Sequence, residues 1–200
     1  MKGIITMTMN PAIDKNSTTE SVVPEKKLRC TPPRYEPGGG GINVARAIKR
    51  LGGDSTAIYP AGGITGQMLE HLMTEEKLEQ HAIPVKALTR ENLIIYEEST
   101  GQQFRFGMPG PELDREAWQR CLDALGEVDP VPDYIVASGS LPPGVPDDFY
   151  GRVADVGRDM GSRVVVDTSG DALRHAAAAG VYLLKPNMRE LGQLAGHEIQ

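Results

Sequence analysis

Chemistry in this chain is first suggested by Gly38 to Gly41, four consecutive glycines that run directly into an apolar-periodic segment bearing Asn43 near its start. Without a Cβ the backbone can reach positive φ and press its N–H groups against a ligand. A helix beginning at about Ile42 aims its unsatisfied N–H groups and positive dipole end into that loop, which suits an anionic or polyhydroxy ligand. A flexible surface turn is the plainer alternative; the immediate helical continuation and Asn43 favour a binding loop. Arg90 and Arg105 border a hairpin-like stretch, and paired guanidinium forks match phosphate oxygens, although two exposed strand-edge charges have the same pattern. Asp14 follows Asn10-Pro11, just past an opening strand, where a carboxylate can accept hydrogen bonds from sugar hydroxyls or simply be a solvated turn residue. Asn187 and Glu190 have the spacing of an N-cap and its reciprocal N3 acid. The same two side chains could hold a hydrated magnesium ion. Lys26, Lys27, Arg29 and Arg34 form a basic group whose default reading is solvated charge.

The elements that must position these residues alternate. Lys2 to Met9 reads as a strand, and Ala45, Ile48 and Leu51 mark a helix stopped by Gly52-Gly53. Ser55 to Tyr59 is a second strand, leading through a loop at 60–66 into a helix with Met68, Leu69, Leu72 and Met73 inward. Leu93 to Tyr96 and Phe104 to Met108 form a hairpin around Glu98-Ser-Thr-Gly101, with Arg105 facing away from Phe104 and Phe106. Asp114 caps a helix carrying Ala117, Trp118, Cys121, Leu122 and Leu125. Asp133 to Ser138 is a buried strand delivering Gly139 to its carboxyl end. Helix 147–160, with Phe149, Val153, Val156 and Met160 inward, then leads to strand Arg163 to Asp167, an alanine-rich helix and a last unit beginning at Val181. This rhythm predicts a parallel sheet covered by helices, with Asp14, the glycine loop, Gly139, Asp167 and Asn187/Glu190 along one edge. Segments at about 15–36, with strand-like pieces at Ser21 to Val23 and Leu28 to Thr31, and at about 88–110 are expected to form a small β-sheet lid over that edge.

Composition narrows the function. The 200 residues are 40% hydrophobic, enough for a sizeable core. A formal charge of -6 argues against a general nucleic-acid or membrane-surface role. Cys30 and Cys121 are too few for a disulfide framework, and His71, His81, His175 and His197 lack metal-ligand spacing. No signal-peptide or transmembrane pattern is present, so the expectation is a soluble, cytoplasmic protein. The glycines do not keep the dinucleotide G-x-G-x-x-G spacing, and none ends in the Gly-Lys-Ser/Thr of a P-loop.

Together, Thr8-Met-Asn-Pro-Ala-Ile-Asp14, Lys27-Leu-Arg-Cys-Thr31, Pro37-Gly-Gly-Gly-Gly-Ile-Asn-Val-Ala-Arg-Ala-Ile48, Ser138-Gly-Ser-Leu-Pro-Pro-Gly144 and Lys185-Pro-Asn-Met-Arg-Glu190 resemble the ribokinase-like sugar kinases, in particular their phosphofructokinase B branch. The resemblance implies a three-layer α/β/α sandwich with a β-sheet lid. It implies transfer of the ATP γ-phosphate to the 1-hydroxyl of fructose 6-phosphate, with Mg2+, by a homodimer joined through its lids. Asp14, Gly39, Gly40, Asn43 and Gly139 would then hold the sugar, and Arg90, Arg105 and Lys27 its phosphate charge. Lys185 and Asn187 would face the nucleotide, and Glu190 would organise magnesium through water. Kinases for fructose 1-phosphate or tagatose 6-phosphate are the near alternatives, and a non-catalytic sugar-phosphate-binding remnant the distant one. One departure stands out: the family's Gly-Ala-Gly-Asp motif, which carries the catalytic base, has no counterpart, since Gly53-Asp54 and Gly170-Asp171 are the only Gly-Asp pairs. The base is therefore expected beyond Gln200, in a C-terminal part that this chain lacks, and these residues alone are expected to be inactive.

Overall fold

The computed structural model describes residues 3–197, so Lys2 of the expected first strand lies outside the described residues. In chain order the elements are β1 (Ile4–Met7), β2 (Ala12–Thr19), β3 (Arg34–Gly38), α1 (Gly40–Arg50), β4 (Thr56–Gly62), α2 (Gly63–Glu75), β5 (Glu79–Val85), β6 (Arg90–Glu97), β7 (Gln102–Phe106), α3 (Arg115–Gly126), β8 (Tyr134–Ser138), α4 (Phe149–Met160), β9 (Arg163–Asp167), α5 (Gly170–Ala179), β10 (Leu183–Leu184) and α6 (Met188–Ala195). Two sheets result. One has six strands, all parallel, in the order β10-β9-β8-β1-β4-β5. The other has four, in the order β3-β2-β6-β7.

The order of the large sheet explains its layers. From β1 the chain winds outward through β4 to β5, then returns to the other side of β1 and winds through β8 and β9 to β10. Right-handed crossovers running in opposite directions place their helices on opposite faces. Accordingly Ile42 and Ala45 of α1 and Leu69 and Met73 of α2 pack with Ala57, Tyr59 and Ala61 of β4 in one core. The other core joins Ile5 and Met7 of β1 with Trp118 and Leu125 of α3, Phe149 and Val153 of α4 and Ala172 and Ala176 of α5. Successive strand residues alternate between the two cores: Ile58 enters the second while Ala57 and Tyr59 enter the first.

Several boundaries differ from the sequence reading, each for a physical reason. The pieces expected as strands within 20–33 are not strands; the antiparallel pair is β2 with β3, so Asp14 lies inside a strand of the small sheet and not in a turn. β4 runs on through Pro60, where a loop was expected. Pairing with β1 ends at Ile58, so the missing proline N–H removes no bond from that ladder. β5 was missed because this edge strand, Glu-Gln-His-Ala-Ile-Pro-Val, carries mostly polar or partly exposed residues. Helix α1 starts at Gly40, earlier than the apolar stripe indicated.

Helix α1 approaches the sheet more closely than a side chain permits. A Cβ on Gly41 would lie 2.6 Å from Thr8 Oγ1 and 2.7 Å from the Met7 carbonyl carbon. In an open helix Gly→Ala gains about 1 kcal/mol of propensity. Here the overlap, mostly with backbone, costs about 1–3 kcal/mol. Gly41→Ala should therefore lower the urea midpoint of unfolding; a raised midpoint would contradict this packing.

The connection after β2 is pinned electrostatically. The Glu97 carboxylate accepts from the Thr100 hydroxyl and from Val22 N–H, and these bonds hold it below the usual carboxylate range. A depressed folded-state pKa stabilises the structure above the unfolded value and loses that contribution as pH falls through the folded one. Hydrogen-exchange protection of the Val22 amide should accordingly persist at neutral pH and fall on acidification below about 4.5, the ordinary glutamate value. Glu97→Ala should abolish it at every pH.

Candidate active site

Between the start of α1 and the small sheet lies a cleft of about 240 Å³, whose lining includes Asp14, Gly39, Gly40, Asn43, Asn92 and Arg105. Its floor is set at the centre of the large sheet. The strand order reverses between β1 and β8, and ligands of open α/β sheets bind outside the carboxyl ends of the strands at such a switch point. Gly39, with φ 115°, carries the chain from β3 into α1 in a conformation that side chains resist. A Cβ on Gly39 would lie 2.6 Å from Thr8 Cγ2, and one on Gly40 2.6 Å from Gly139 N. The glycines thus let α1 press onto the ends of β1 and β8, and Ile42 N–H donates to Thr8 Oγ1 at 2.8 Å. Packing within the protein requires these glycines even before a ligand is considered.

The polar groups around the cleft are fixed from behind. Arg46 makes a paired contact to Glu76 (Nε to Oε2 2.7 Å, Nη2 to Oε1 2.8 Å) and donates at 3.4 Å to Asn43 Oδ1. Burial opposes the Arg46 charge, but Glu76, Glu36 and Asp14 outweigh it and raise its pKa. With its oxygen so engaged, Asn43 has its amide N–H groups left to donate. Asp14 accepts at Oδ1 from Asn92 Nδ2 at 2.8 Å. Arg105, opposite Ile94 in the ladder, supplies exposed positive charge. One ionisable acceptor among several donors and a helix N-terminus is an arrangement for a hydroxylated anion.

The structure brings Asp14, Gly39, Gly40, Asn43 and Arg105 together in the cleft lining and places the other expected residues outside that lining. Arg90 is not in the cleft lining. Its Nη1, Nη2 and Nε donate to the carbonyls of Met108 (2.8 Å), Asn10 (2.9 Å) and Pro11 (3.4 Å), bracing the turn between β1 and β2 against the end of β7. Burial lowers its pKa, with Asp14 acting the other way. Lys27 is exposed on the connection between β2 and β3, outside the cleft. Gly139, with φ 113°, stands behind Gly40: its N–H donates to Asp167 O, and its carbonyl accepts from Tyr150 Oη at 2.9 Å and Thr168 Oγ1 at 3.0 Å. Burial, with Asp167 adding to it, raises the Tyr150 pKa, so the phenol stays a donor.

A second polar group lies further along the same strand-end edge. Lys185 Nζ is 3.3 Å from Asp167 Oδ1, and Asp167 Oδ2 accepts from Ser138 Oγ at 3.2 Å. Asn187 and Glu190 form the reciprocal capping box of α6: Asn187 Oδ1 accepts from Glu190 N at 2.9 Å, and Glu190 Oε2 from Asn187 N at 2.8 Å. No cluster of three or more His, Cys, Asp or Glu side chains that could hold a metal ion occurs among the described residues. The capping box leaves Glu190 Oε1 outside these two bonds, which fits a magnesium ion held through water and not an ion held directly by protein ligands. Sequence reasoning missed Asn92 and Arg46. Both act by orienting a neighbour: Asn92 cannot be read before β2 is known to lie beside β6, nor Arg46 before the end of α2 is known to lie beside α1.

The model of the pfkB family carbohydrate kinases matches residues 5–200. The chain is 47% identical to the ATP-dependent 6-phosphofructokinase isozyme 2 of Mycobacterium tuberculosis, across 98% of this chain and 58% of that protein. Phosphofructokinase-2 from Escherichia coli in complex with fructose-6-phosphate superposes with a TM-score of 0.95 at 43% identity, covering 100% of this chain and 66% of that one. The E. coli protein has also been solved in a tetrameric inhibited form. The 1-phosphofructokinase of Bacillus subtilis is 34% identical over 98% of this chain and 63% of its own length. The chain thus spans 58% and 63% of the lengths of these two curated relatives. A switch-point glycine loop, a second sheet facing it and a family match over almost every residue agree: the chain belongs to the pfkB family of carbohydrate kinases.

Proposed function

We propose that this chain carries the acceptor-binding part of an ATP-dependent 6-phosphofructokinase, which moves the γ-phosphate of ATP to the 1-hydroxyl of fructose 6-phosphate. The observation that carries this reading is the cleft itself, in which Asp14 and Asn43 face the same space as Arg105. A carboxylate and an amide suit hydroxyls, and a guanidinium suits a phosphate, so the natural ligand is a phosphorylated sugar. The names of the relatives favour 6-phosphofructokinase within that class. Phosphoryl transfer depends on positioning and charge neutralisation more than on covalent chemistry, and the residues gathered here are positioning groups.

In this reading Asp14 and Asn43 fix the ring hydroxyls over Gly39 and Gly40, with Gly139 supporting Gly40 from behind. Arg105 takes the phosphate. Arg90 contributes to that phosphate through the N–H groups it does not spend on carbonyls. Lys27 reaches phosphate charge only when its exposed connection moves or a second copy presents it. Phe106, an exposed apolar residue on the edge strand of the small sheet, fits pairing of two lids in a homodimer. Lys185 and Asn187 face the nucleotide phosphates and Glu190 the magnesium ion, which when bound neutralises charge on the transferring group. ATP and fructose 6-phosphate are intracellular metabolites, which suits a cytoplasmic enzyme.

Arg105→Ala should weaken fructose 6-phosphate binding about 10- to 100-fold, the effect of one lost charge-assisted contact. Calorimetry on the whole enzyme checks this, and unchanged affinity would remove Arg105 from the phosphate site. The Gly-Ala-Gly-Asp motif is absent from these 200 residues. A coupled assay on residues 1–200 should therefore read no phosphorylation above background, with fructose 6-phosphate, fructose 1-phosphate and tagatose 6-phosphate as test acceptors. Robust turnover would show that the base lies within this span, and the favoured acceptor would then choose among the kinases.

A further inference from the structure

Asp14 can serve a sugar through the carboxylate oxygen that its neighbours leave unengaged, and those neighbours dictate which oxygen that is. Asn92 Oδ1 accepts from the backbone N–H of Met108 at 3.1 Å. A backbone N–H can only donate, so the Asn92 atom facing it is the oxygen and the amide cannot be flipped. Nδ2 then points the other way, 2.8 Å from Asp14 Oδ1, and it too can only donate. The parallel ladder places Asp14 directly beside Asn92, while across β3 a Cβ on Gly38 would lie 2.6 Å from Asp14 Cγ. The carboxylate is thus held between a glycine backbone and an oriented amide.

The far end of that amide matters equally. Met108 follows β7, which carries Arg105, and its carbonyl accepts from Arg90 Nη1 at 2.8 Å. One residue just beyond the phosphate-binding strand, Met108, is therefore gripped at both of its backbone polar groups, by Asn92 at its N–H and by Arg90 at its carbonyl. We propose that Asn92 is a positioning residue for phosphosugar recognition, one amide that both aims the Asp14 carboxylate and ties it to the strand bearing Arg105. The distance between hydroxyl recognition and phosphate recognition is thereby fixed. A phosphosugar is then selected by the spacing of its phosphate from the hydroxyls that Asp14 holds. This assignment rests on the kinase reading above.

The test uses calorimetry on the whole enzyme with two probes, fructose 6-phosphate and inorganic phosphate. Asn92→Asp keeps an acceptor for Met108 N–H and puts a carboxylate oxygen against Asp14. Fructose 6-phosphate affinity should fall roughly 10- to 100-fold at about pH 8, while inorganic phosphate, held by Arg105, changes less than about threefold. The other charged groups around Asp14 are Glu36 on β3, Arg46 on α1 and Arg90 and Arg105 on β6 and β7, and the substitution leaves them all in place. Toward about pH 5 the loss should shrink, because one proton shared between two adjacent carboxylates restores the missing donor. A variant that binds fructose 6-phosphate like the wild type at about pH 8, or that loses both probes together, would overturn the assignment in favour of a purely structural amide. Should Asn92→Asp fail to fold, Asn92→Ser carries the same comparison: sugar phosphate lost with inorganic phosphate retained supports the role, and any other pairing overturns it. A wild-type enzyme that binds inorganic phosphate but not fructose 6-phosphate would instead defeat the substrate reading, and the assignment with it.

Discussion

The close approach of α1 to the ends of β1 and β8 is the constraint on which the rest of the structure depends. The connections leave those two parallel strands toward opposite sides, which opens a crevice at their carboxyl ends. Only a backbone without side chains can enter it. Gly39, Gly40 and Gly41 each abut a different wall: Thr8, the Ser138-Gly139 bond and the Met7 carbonyl. Once the helix N-terminus is seated there, its N–H groups and dipole face whatever lies above the sheet edge. The excursion through β2 and β3 before α1, and the return through β6 and β7, cover that place with a second sheet. The glycines are first a packing device. Their chemical consequence, an exposed helix start at the switch point, follows from the packing.

Charge around the cleft is arranged by support, and the supports are opposite in kind. Donors are freed by occupying their neighbours: Arg46 takes the oxygen of Asn43, so the amide N–H groups remain. The acceptor is aimed by a residue that can only give: Asn92 donates to Asp14 because Met108 has already claimed its oxygen. Arg90 looks from sequence like a twin of Arg105, yet it braces three carbonyls at the junction of the two sheets. Two arginines with the same chemistry are held differently because one lies at a junction lined with backbone oxygens and the other on an edge strand. A charged group displaced by one ångström can cost a hundredfold in such reactions, so residues that only hold other residues are a necessary part of the site.

Much of this was legible beforehand, and the reasons are specific. Strands buried on both faces announce themselves as apolar runs, so Tyr134 to Ser138 and Arg163 to Asp167 fell within a residue of their observed bounds. The amphipathic helices after β4 and β8 followed from their spacing in the same way. The small sheet was harder. Its strands present polar residues to the cleft, so β2 reads as turn and loop, and the strand-like pieces at 21–23 and 28–31 are connection outside the strand ladders. Asp14, Asn43 and Arg105 could be named from residue type, but their convergence required the parallel pairing of β2 with β6, which joins residues nearly eighty positions apart. Asn92 was invisible for that reason: its meaning is its partner.

The two polar groups along the strand ends differ in how firmly they are built. Asp14, Asn43 and the glycine loop belong to elements locked by sheet ladders, core packing and buried hydrogen bonds. Lys185, Asn187 and Glu190 stand on a two-residue strand and a helix with no buried side chains. Lys185 is tethered to Asp167, and through Asp167 to Ser138 beside the glycine floor. That chain of contacts is the physical link between the groups: Gly40 packs on Gly139, Gly139 donates to the Asp167 carbonyl, and the Asp167 carboxylate holds Lys185. A shift of α1 on binding an acceptor would therefore be felt first at Ser138-Gly139 and next at the Lys185 ammonium. In the transfer proposed for this chain, a firmly packed floor joined by a polar path to a less buried second group would let the second ligand adjust to a position the first has already set.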